Sequence, residues 1–487
     1  MRLCALLLAL ATTTAHAAGT VTRTPYVQNV GQTEATIMWR TSIQMAQTLH
    51  YGEGGTLDRW LTEDRATTTH EVRLTGLRPG TTYDYRLAGV TSPAAPTSSF
   101  RTDPGRGGKF FSFFVTADIG ESAPDQANQR QTAAMILQQT PLPALGLLAG
   151  DIVYPDGDSD DYNAHLMIPW RDVFSRVCVW PALGNHDWMK DPERNFVREW
   201  SLPNNEHYYS FDYGNAHFIA LDSQNGNLYD KANQIAWLEQ DLARANGAIW
   251  TFVFMHHPMI TCTYKGHEPE LAIALMPLFE RYGVDVVFTG HAHTYERLYP
   301  FRGGLPVDMD MDPHYVDPSG VIYIVSGAGG SVKHSAPTAH CGANVFFLDE
   351  RILFTQVHVL DNAVVILAID SMTGEVLDAM SILKHPTTSD VAVSPPRPRL
   401  LQNVPNPFNP ATTIIFDIPV ESLVRLDVYR ADGRWITSLE RGVRAPGTHR
   451  VLWDGRDHRG IMLPTGVYVA KLRAGPLRTS VKMTLLR

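Results

Sequence analysis

Through the middle of the chain, apolar runs alternate with short polar clusters. FFSFFVTA ends in Asp118-Ile119-Gly120, LGLLA in Gly150-Asp151-Ile152-Val153-Tyr154, and VCVWPAL in Gly184-Asn185-His186-Asp187. WTFVFM leads into His256-His257-Pro258, and VDVVFT into Gly290-His291-Ala292-His293. Continuous apolar runs of this length predict strands covered on both faces, of the parallel type. Helical patterns over Asp125–Gln139, Lys231–Arg244 and Glu270–Tyr282 fall between them. That alternation predicts an α/β domain over residues 108–383. Polar groups just past the strand ends are then expected to converge on one edge of a sheet.

On both flanks the pattern changes to β-branched and aromatic runs broken by Gly and Pro. TEATIMWRT, TTTHEVRLTGL and TTYDYRLAGV predict a small fibronectin-type sandwich over residues 19–103, with Tyr26, Trp39 and Tyr85 as core aromatics. DPGRGGK (Asp103–Lys109) is a turn-rich joint. Residues 384–399 are rich in Pro and Ser and read as a linker. Residues 400–487 predict a second all-β sandwich, with a hairpin on Asp432-Gly433. The start has Arg2, a short apolar stretch and a small-residue end at Ala15-His16-Ala17, which reads as a signal peptide over residues 1–18. Its apolar stretch is roughly half the ~20 residues a membrane span needs. A secreted, extracellular or surface-held protein without a transmembrane segment is expected.

A formal charge of −9 over 487 residues argues against a basic nucleic-acid groove or an anionic membrane surface as the main partner. Attraction for phosphate would have to be local. Three cysteines remain after cleavage, Cys178, Cys262 and Cys341. Cys262 and Cys341 lie in loop-like sequence and are the expected disulfide; Cys178, inside an apolar run, reads as a small buried hydrophobe.

The five clusters have the makeup of a two-metal hydrolytic site, which needs a bridging carboxylate and several nitrogen and oxygen ligands. Asp151 follows Gly150 at a strand end, where backbone can approach closely, and is the natural bridge. Asp118 offers a hard oxygen to one metal and Asn185 an amide oxygen to the other. His256, His291 and His293 complete the shells. A donor set without thiolate favours iron, zinc or manganese.

As a set, these motifs resemble the calcineurin-like metallophosphoesterases and, within them, the purple acid phosphatases. The resemblance covers Phe110 to Leu383, and the preceding sandwich is similar to that family's N-terminal domain. It implies a metallophosphoesterase β-sheet sandwich flanked by helices, with all-β sandwiches at both ends. It also implies that Asp118, Tyr154 and His293 bind Fe(III), that Asn185, His256 and His291 bind a divalent zinc, iron or manganese, and that Asp151 bridges. Tyr154 matches the family's Gly-Asp-x-x-Tyr. His186 would face the substrate, stabilising the transition state or delivering a proton. His267, in YKGHEPE, stands one residue from the position of a second substrate histidine. The family's usual His-Ser-Pro is His256-His257-Pro258 here, so either histidine could be the ligand, the other lining the pocket. Asp222 is expected to support the site from behind or to be solvated. The Asp156–Asp161 acidic run is expected to be a solvated rim, and Glu296-Arg297 structural.

The implied activity is hydrolysis of a phosphorylated small molecule, a phosphate monoester, by a metal-bound hydroxide. A phosphodiesterase or nucleotide phosphohydrolase with the same ligands, or an inactive surface scaffold, are the alternatives. The C-terminal segment, with NVPNPFNPATTIIFDIP, Trp453-Asp454-Gly455 and Gly466-Val467-Tyr468, resembles sorting domains of the type IX secretion route and the Ig-like domain of flagellar hook-capping proteins. That resemblance implies contact with secretion machinery or attachment to the cell surface.

Overall fold

The computed structural model describes residues 19–486, apart from 90–95, 109, 121–125, 192–194, 225–230, 246, 264, 310–311, 331–342, 386–398, 419–421, 432 and 475–476. The expected signal peptide, most of the expected linker, Cys341 and Asp432 lie outside the described residues. Cys262 is disulfide-bonded, and Cys178 is a buried free thiol.

The central domain is built on two seven-stranded sheets. One carries Cys178–Ala182, Leu145–Ala149 and Phe110–Thr116 in parallel, and continues antiparallel through Leu353–Leu360, Ala363–Asp370 and Val376–Leu383. The other runs parallel through Ala216–Ala220, Trp250–Phe254, Val286–Thr289 and Ile322–Ser326. The apolar runs are therefore parallel strands, as their sequence predicts. They are divided between two sheets rather than gathered in one.

Strand periodicity explains how the layers stack. Successive residues of a strand point to opposite faces. Phe113 of the first sheet meets Phe218, Phe252 and Phe288 of the second edge to face, at 5.2, 5.2 and 6.2 Å between ring centroids. Their neighbours point outward. Phe114 stacks on Trp170 at 6.2 Å. Ile219, Val253 and Val287 pack with Leu238, Leu275 and Phe279 from the helices Lys231–Arg244 and Pro269–Tyr282. Because both faces of these strands are covered, the runs carry no polar alternation.

At the N-terminal end a three-stranded and a four-stranded sheet form a small sandwich. Tyr26, Trp39 and Tyr85 are all buried in it. Two of them also reach into the central domain: the Tyr26 hydroxyl donates to the Glu199 carbonyl and the Tyr85 hydroxyl to the Ser175 carbonyl, each at 2.7 Å. Glu199, fully buried, pairs with Arg23 and Arg40 of the sandwich. The C-terminal residues form another pair of sheets around Phe416, Val428, Trp453 and Tyr468. Its first long hairpin pairs Tyr429 with Trp435, with Gly433 at φ 90° in the turn.

Candidate metal centre

The loops that follow the strands of both sheets meet at one end of the stack. Backbone hydrogen bonds join them there: Asp118 N–H donates to Gly150 O at 3.1 Å, Tyr154 N–H to Gly120 O at 2.7 Å and Gly290 N–H to His256 O at 2.9 Å. Two glycines permit this approach. A Cβ on Gly150, whose φ is +84°, would stand 2.6 Å from the Cβ of His256; one on Gly184 would stand 2.1 Å from the Asp151 nitrogen. No larger residue fits either place.

Asp118, Asp151 and His291 adopt left-handed backbone at φ 55°, 51° and 68°. Such a conformation costs a non-glycine residue roughly 1–2 kcal/mol, and strain of this kind gathers at functional sites. Here it turns three side chains inward at once.

Seven residues meet. Tyr154 Oη lies 3.1 Å from Asp118 Oδ1, 3.2 Å from Asp151 Oδ2 and 3.3 Å from His293 Nε2. On the other side, His256 Nε2 lies 3.1 Å from Asp151 Oδ2, 3.2 Å from Asn185 Oδ1 and 3.2 Å from His291 Nδ1. Asp151 stands between the two groups and touches both. Asp118 and His256 are fully buried, and Asp151 is 2% exposed.

His186 borders the cluster. Its backbone N–H donates to Asp151 Oδ1 at 2.8 Å, its ring lies 4.3 Å from that of Tyr154, and its Nδ1 bonds the Pro155 carbonyl. His267 stands apart. It is exposed, and its Nδ1 accepts the Thr261 N–H at 3.2 Å. His257 packs against the cluster, with its ring 4.5 Å from that of His291.

Charge in the metal-free protein follows from this crowding. Burial works against ionisation of Asp151, yet His256 and His186 hold its carboxyl well below the usual range. Burial would lower the His256 pKa, but the Asp151 carboxylate raises it, to about 9. Burial and the charge on His256 push His257 down to about 3 and His291 to about 2.

The donor set fits two cations. His256 Nδ1 is 3.0 Å from the Ala149 carbonyl and must carry a proton to bond it, so in the neutral ring Nε2 presents a lone pair. That lone pair faces a carboxylate oxygen and an amide oxygen, which are acceptors too. Around Tyr154, one phenolic proton serves two carboxylates and an imidazole nitrogen. Converging acceptors with too few protons between them are what a bound cation relieves. The triads Asp118–Asp151–His256 and His256–His257–His291 each hold their ligand atoms within 4.8 Å of one another.

Several supporting residues were not among the sequence candidates. Asp187 is fully buried and accepts the backbone N–H groups of Ile152 and Val153 at 3.2 Å and of Gly184 at 2.9 Å. It ties the Asp151 loop to the Asn185 loop; its place directly after Asn185-His186 was the available signal. His165, on the π-helix Tyr162–Met167, bonds the Tyr154 carbonyl at 2.6 Å. Ser223 bonds His257. Asp222 accepts the Trp188 indole N–H at 3.3 Å, behind the Asn185–Trp188 helix. The acidic rim is more structured than a solvated loop, because Asp156 and Asp158 both pair with Lys190, at 3.1 and 2.8 Å. Glu296 and Arg297 are structural: Glu296 accepts from Thr261 and Cys262, and Arg297 pairs with Asp378 at 2.7 Å.

Residues 111–295 match the family described as calcineurin-like phosphoesterase, and residues 23–102 the one described as the N-terminal domain of purple acid phosphatase. Purple acid phosphatase 15 of Arabidopsis thaliana is 28% identical over 327 residues, covering 56% of this chain and 56% of that protein. Acid phosphatase type 7 of Danio rerio is 26% identical over 357 residues, covering 66% of this chain and 79% of that protein. The chain thus spans a little over half the length of the Arabidopsis relative. The solved structure of a purple acid phosphatase from yellow lupin (Lupinus luteus) seeds shares the fold, with a TM-score of 0.63 at 18% identity over 76% of this chain and 77% of that one. The central domain has the metallophosphoesterase fold. The two matched regions are similar to the corresponding domains of purple acid phosphatases.

Proposed function

We propose that the protein is an exported phosphatase that hydrolyses phosphate monoesters at a binuclear metal centre. Asp118, Tyr154 and His293 would hold a ferric ion, and Asn185, His256 and His291 a divalent zinc, iron or manganese, with Asp151 common to both. When bound, two such cations neutralise phosphoryl oxygens and lower the pKa of water. The observation that carries this reading is the convergence of proton-poor donors on both sides of Asp151.

The chain's own groups do the rest. Asp187 keeps the Asp151 and Asn185 loops in register. His186 commits Nδ1–H to the Pro155 carbonyl, so its protonated form presents an Nε2–H able to protonate the leaving ester oxygen. His267, on the exposed loop beyond Cys262, is assigned to contacts with the outer part of the substrate.

Asp151→Asn tests the reading. The wild type should hold about two metal equivalents by plasma mass spectrometry and cleave an aryl monoester faster than a bis-aryl diester. The variant should lose both metals and nearly all turnover. Full activity in it refutes the centre, and a faster diester rate moves the enzyme to the phosphodiesterases.

Export and surface attachment rest on the sequence of residues 1–18 and on the sorting-type signature of residues 400–487. Removing residues 400–487 should leave the central domain active and retain it inside the producing cell. Unchanged export of the truncated chain would leave that segment without a sorting role.

A further inference from the structure

His256 and His257 are adjacent, and their hydrogen bonds fix opposite proton positions. His256 is tied through Nδ1 to a carbonyl, so in the neutral ring its proton sits on Nδ1 and its Nε2 is a lone pair. His257 is tied through Nδ1 to a hydroxyl. Ser223 Oγ lies 2.9 Å from His257 Nδ1 and accepts the His257 backbone N–H, also at 2.9 Å.

Ser223 is 1% exposed, so solvent does not serve its hydroxyl proton. Among the described residues, its hydrogen bonds are these two, and Nδ1 is the acceptor within reach. A buried hydroxyl beside one acceptor donates to it, since leaving the proton unpaired costs about 1–3 kcal/mol. Nδ1 of His257 is therefore an acceptor, and the ring proton of the neutral imidazole sits on Nε2.

That Nε2–H has no hydrogen-bond partner among the described residues. The ring stands beside His291 at 4.5 Å and His256 at 4.9 Å between centroids, on the side of the centre away from Tyr154. It is a single N–H donor, held rigidly from behind by Ser223, on the wall of the centre.

We propose that His257 is not a metal ligand but a substrate-binding and catalytic residue, donating Nε2–H to a non-bridging phosphoryl oxygen, with Ser223 as the positioning residue that sets its tautomer. The assignment rests on the phosphatase reading of the centre. A neutral donor there binds the oxoanion without competing with metal for a lone pair. Its hydrogen bond strengthens as charge builds on that oxygen, which lowers the barrier.

The test uses full-length, metal-loaded protein, with inorganic phosphate as the probe. His257→Phe should keep two metal equivalents, weaken phosphate binding by calorimetry roughly 10-fold or more and lower kcat on an aryl monoester about 100-fold. Ser223→Ala should keep both metals, weaken phosphate binding a few-fold and change the His257 pattern in nitrogen-15 NMR from protonated Nε2 to a mixture. Loss of one metal equivalent in His257→Phe would make His257 a ligand and overturn the proposal. Unchanged phosphate binding with both metals present would overturn it too. If His257→Phe does not fold, the Ser223→Ala spectrum and titration decide, and an unaltered spectrum refutes the tautomer. Wild-type protein that binds phosphate but cleaves no monoester would overturn the phosphatase reading and with it the catalytic role of His257; loss of phosphate binding in His257→Phe would then still show the Nε2–H as an oxoanion donor.

Discussion

Tyr154 Oη sits 3.1 Å from Asp118 Oδ1, although the two residues follow different strands and are 36 positions apart. The contact depends on the parallel pairing of Phe110–Thr116 with Leu145–Ala149, which ends both strands at the same level. The loop after Leu145–Ala149 then folds back through Gly120, placing the phenol over the carboxylate. Neither residue reaches the other without that register.

Asp187→Ala removes the common acceptor of three backbone amides in the two ligand loops. Leaving buried amides unpaired should cost roughly 2–4 kcal/mol of stability, read as a lower urea midpoint. Metal affinity should fall about 10- to 100-fold, as it does when residues orienting ligands are lost. Competition with a chelator measures this. Unchanged affinity would show that the loops hold their register without Asp187.

The alternation of apolar runs and polar clusters made the strands, the helices and the gathering of these polar groups at one place legible in the sequence. Lys231–Arg244 is a helix with those bounds, because its apolar positions repeat at helical spacing. Division into two sheets was not legible. A strand covered on both faces reads the same whether a helix or another sheet covers it, so Phe113 gave no sign that its partners would be Phe218, Phe252 and Phe288. Supporting residues were harder still. Ser223 acts through two hydrogen bonds to His257 and His165 through one to the Tyr154 carbonyl, each across a gap in sequence, and no local pattern marks them.

Arg23 is 3% exposed and shares Glu199 with Arg40 across the contact between the N-terminal sandwich and the central domain. Glu199→Gln leaves a buried guanidinium without its countercharge. Breaking a buried pair this way should cost roughly 3–5 kcal/mol. Chemical denaturation should show the loss, with metal content unchanged in the folded protein. A variant as stable as the wild type would mean that the contact does not depend on this charge.

His217 links two carboxylates, with Nδ1 at 2.7 Å from Asp212 and Nε2 at 2.9 Å from Asp241. Burial lowers its pKa, but the hydrogen bonds to Asp212 and Asp241 prevail and raise it from 6.5 to about 9. A folded-state pKa above the unfolded one stabilises the protein fully below the unfolded value and is lost as pH rises through the folded one. The contribution, at most about 3 kcal/mol, should therefore be present below pH 6.5 and gone above about pH 9. Thermal unfolding of His217→Gln should lose this slope; an identical pH dependence in both proteins would contradict the pairing.

We propose Tyr154 as a metal ligand at a centre shared with Asp118 and Asp151. Phenolate bound to Fe(III) absorbs visible light by charge transfer, and no other residue of the cluster does so. The visible spectrum of the iron-loaded wild type should show a broad band that is absent from iron-loaded Tyr154→Phe at equal iron content. A wild type that holds iron without the band, or a band that survives in Tyr154→Phe, would contradict it.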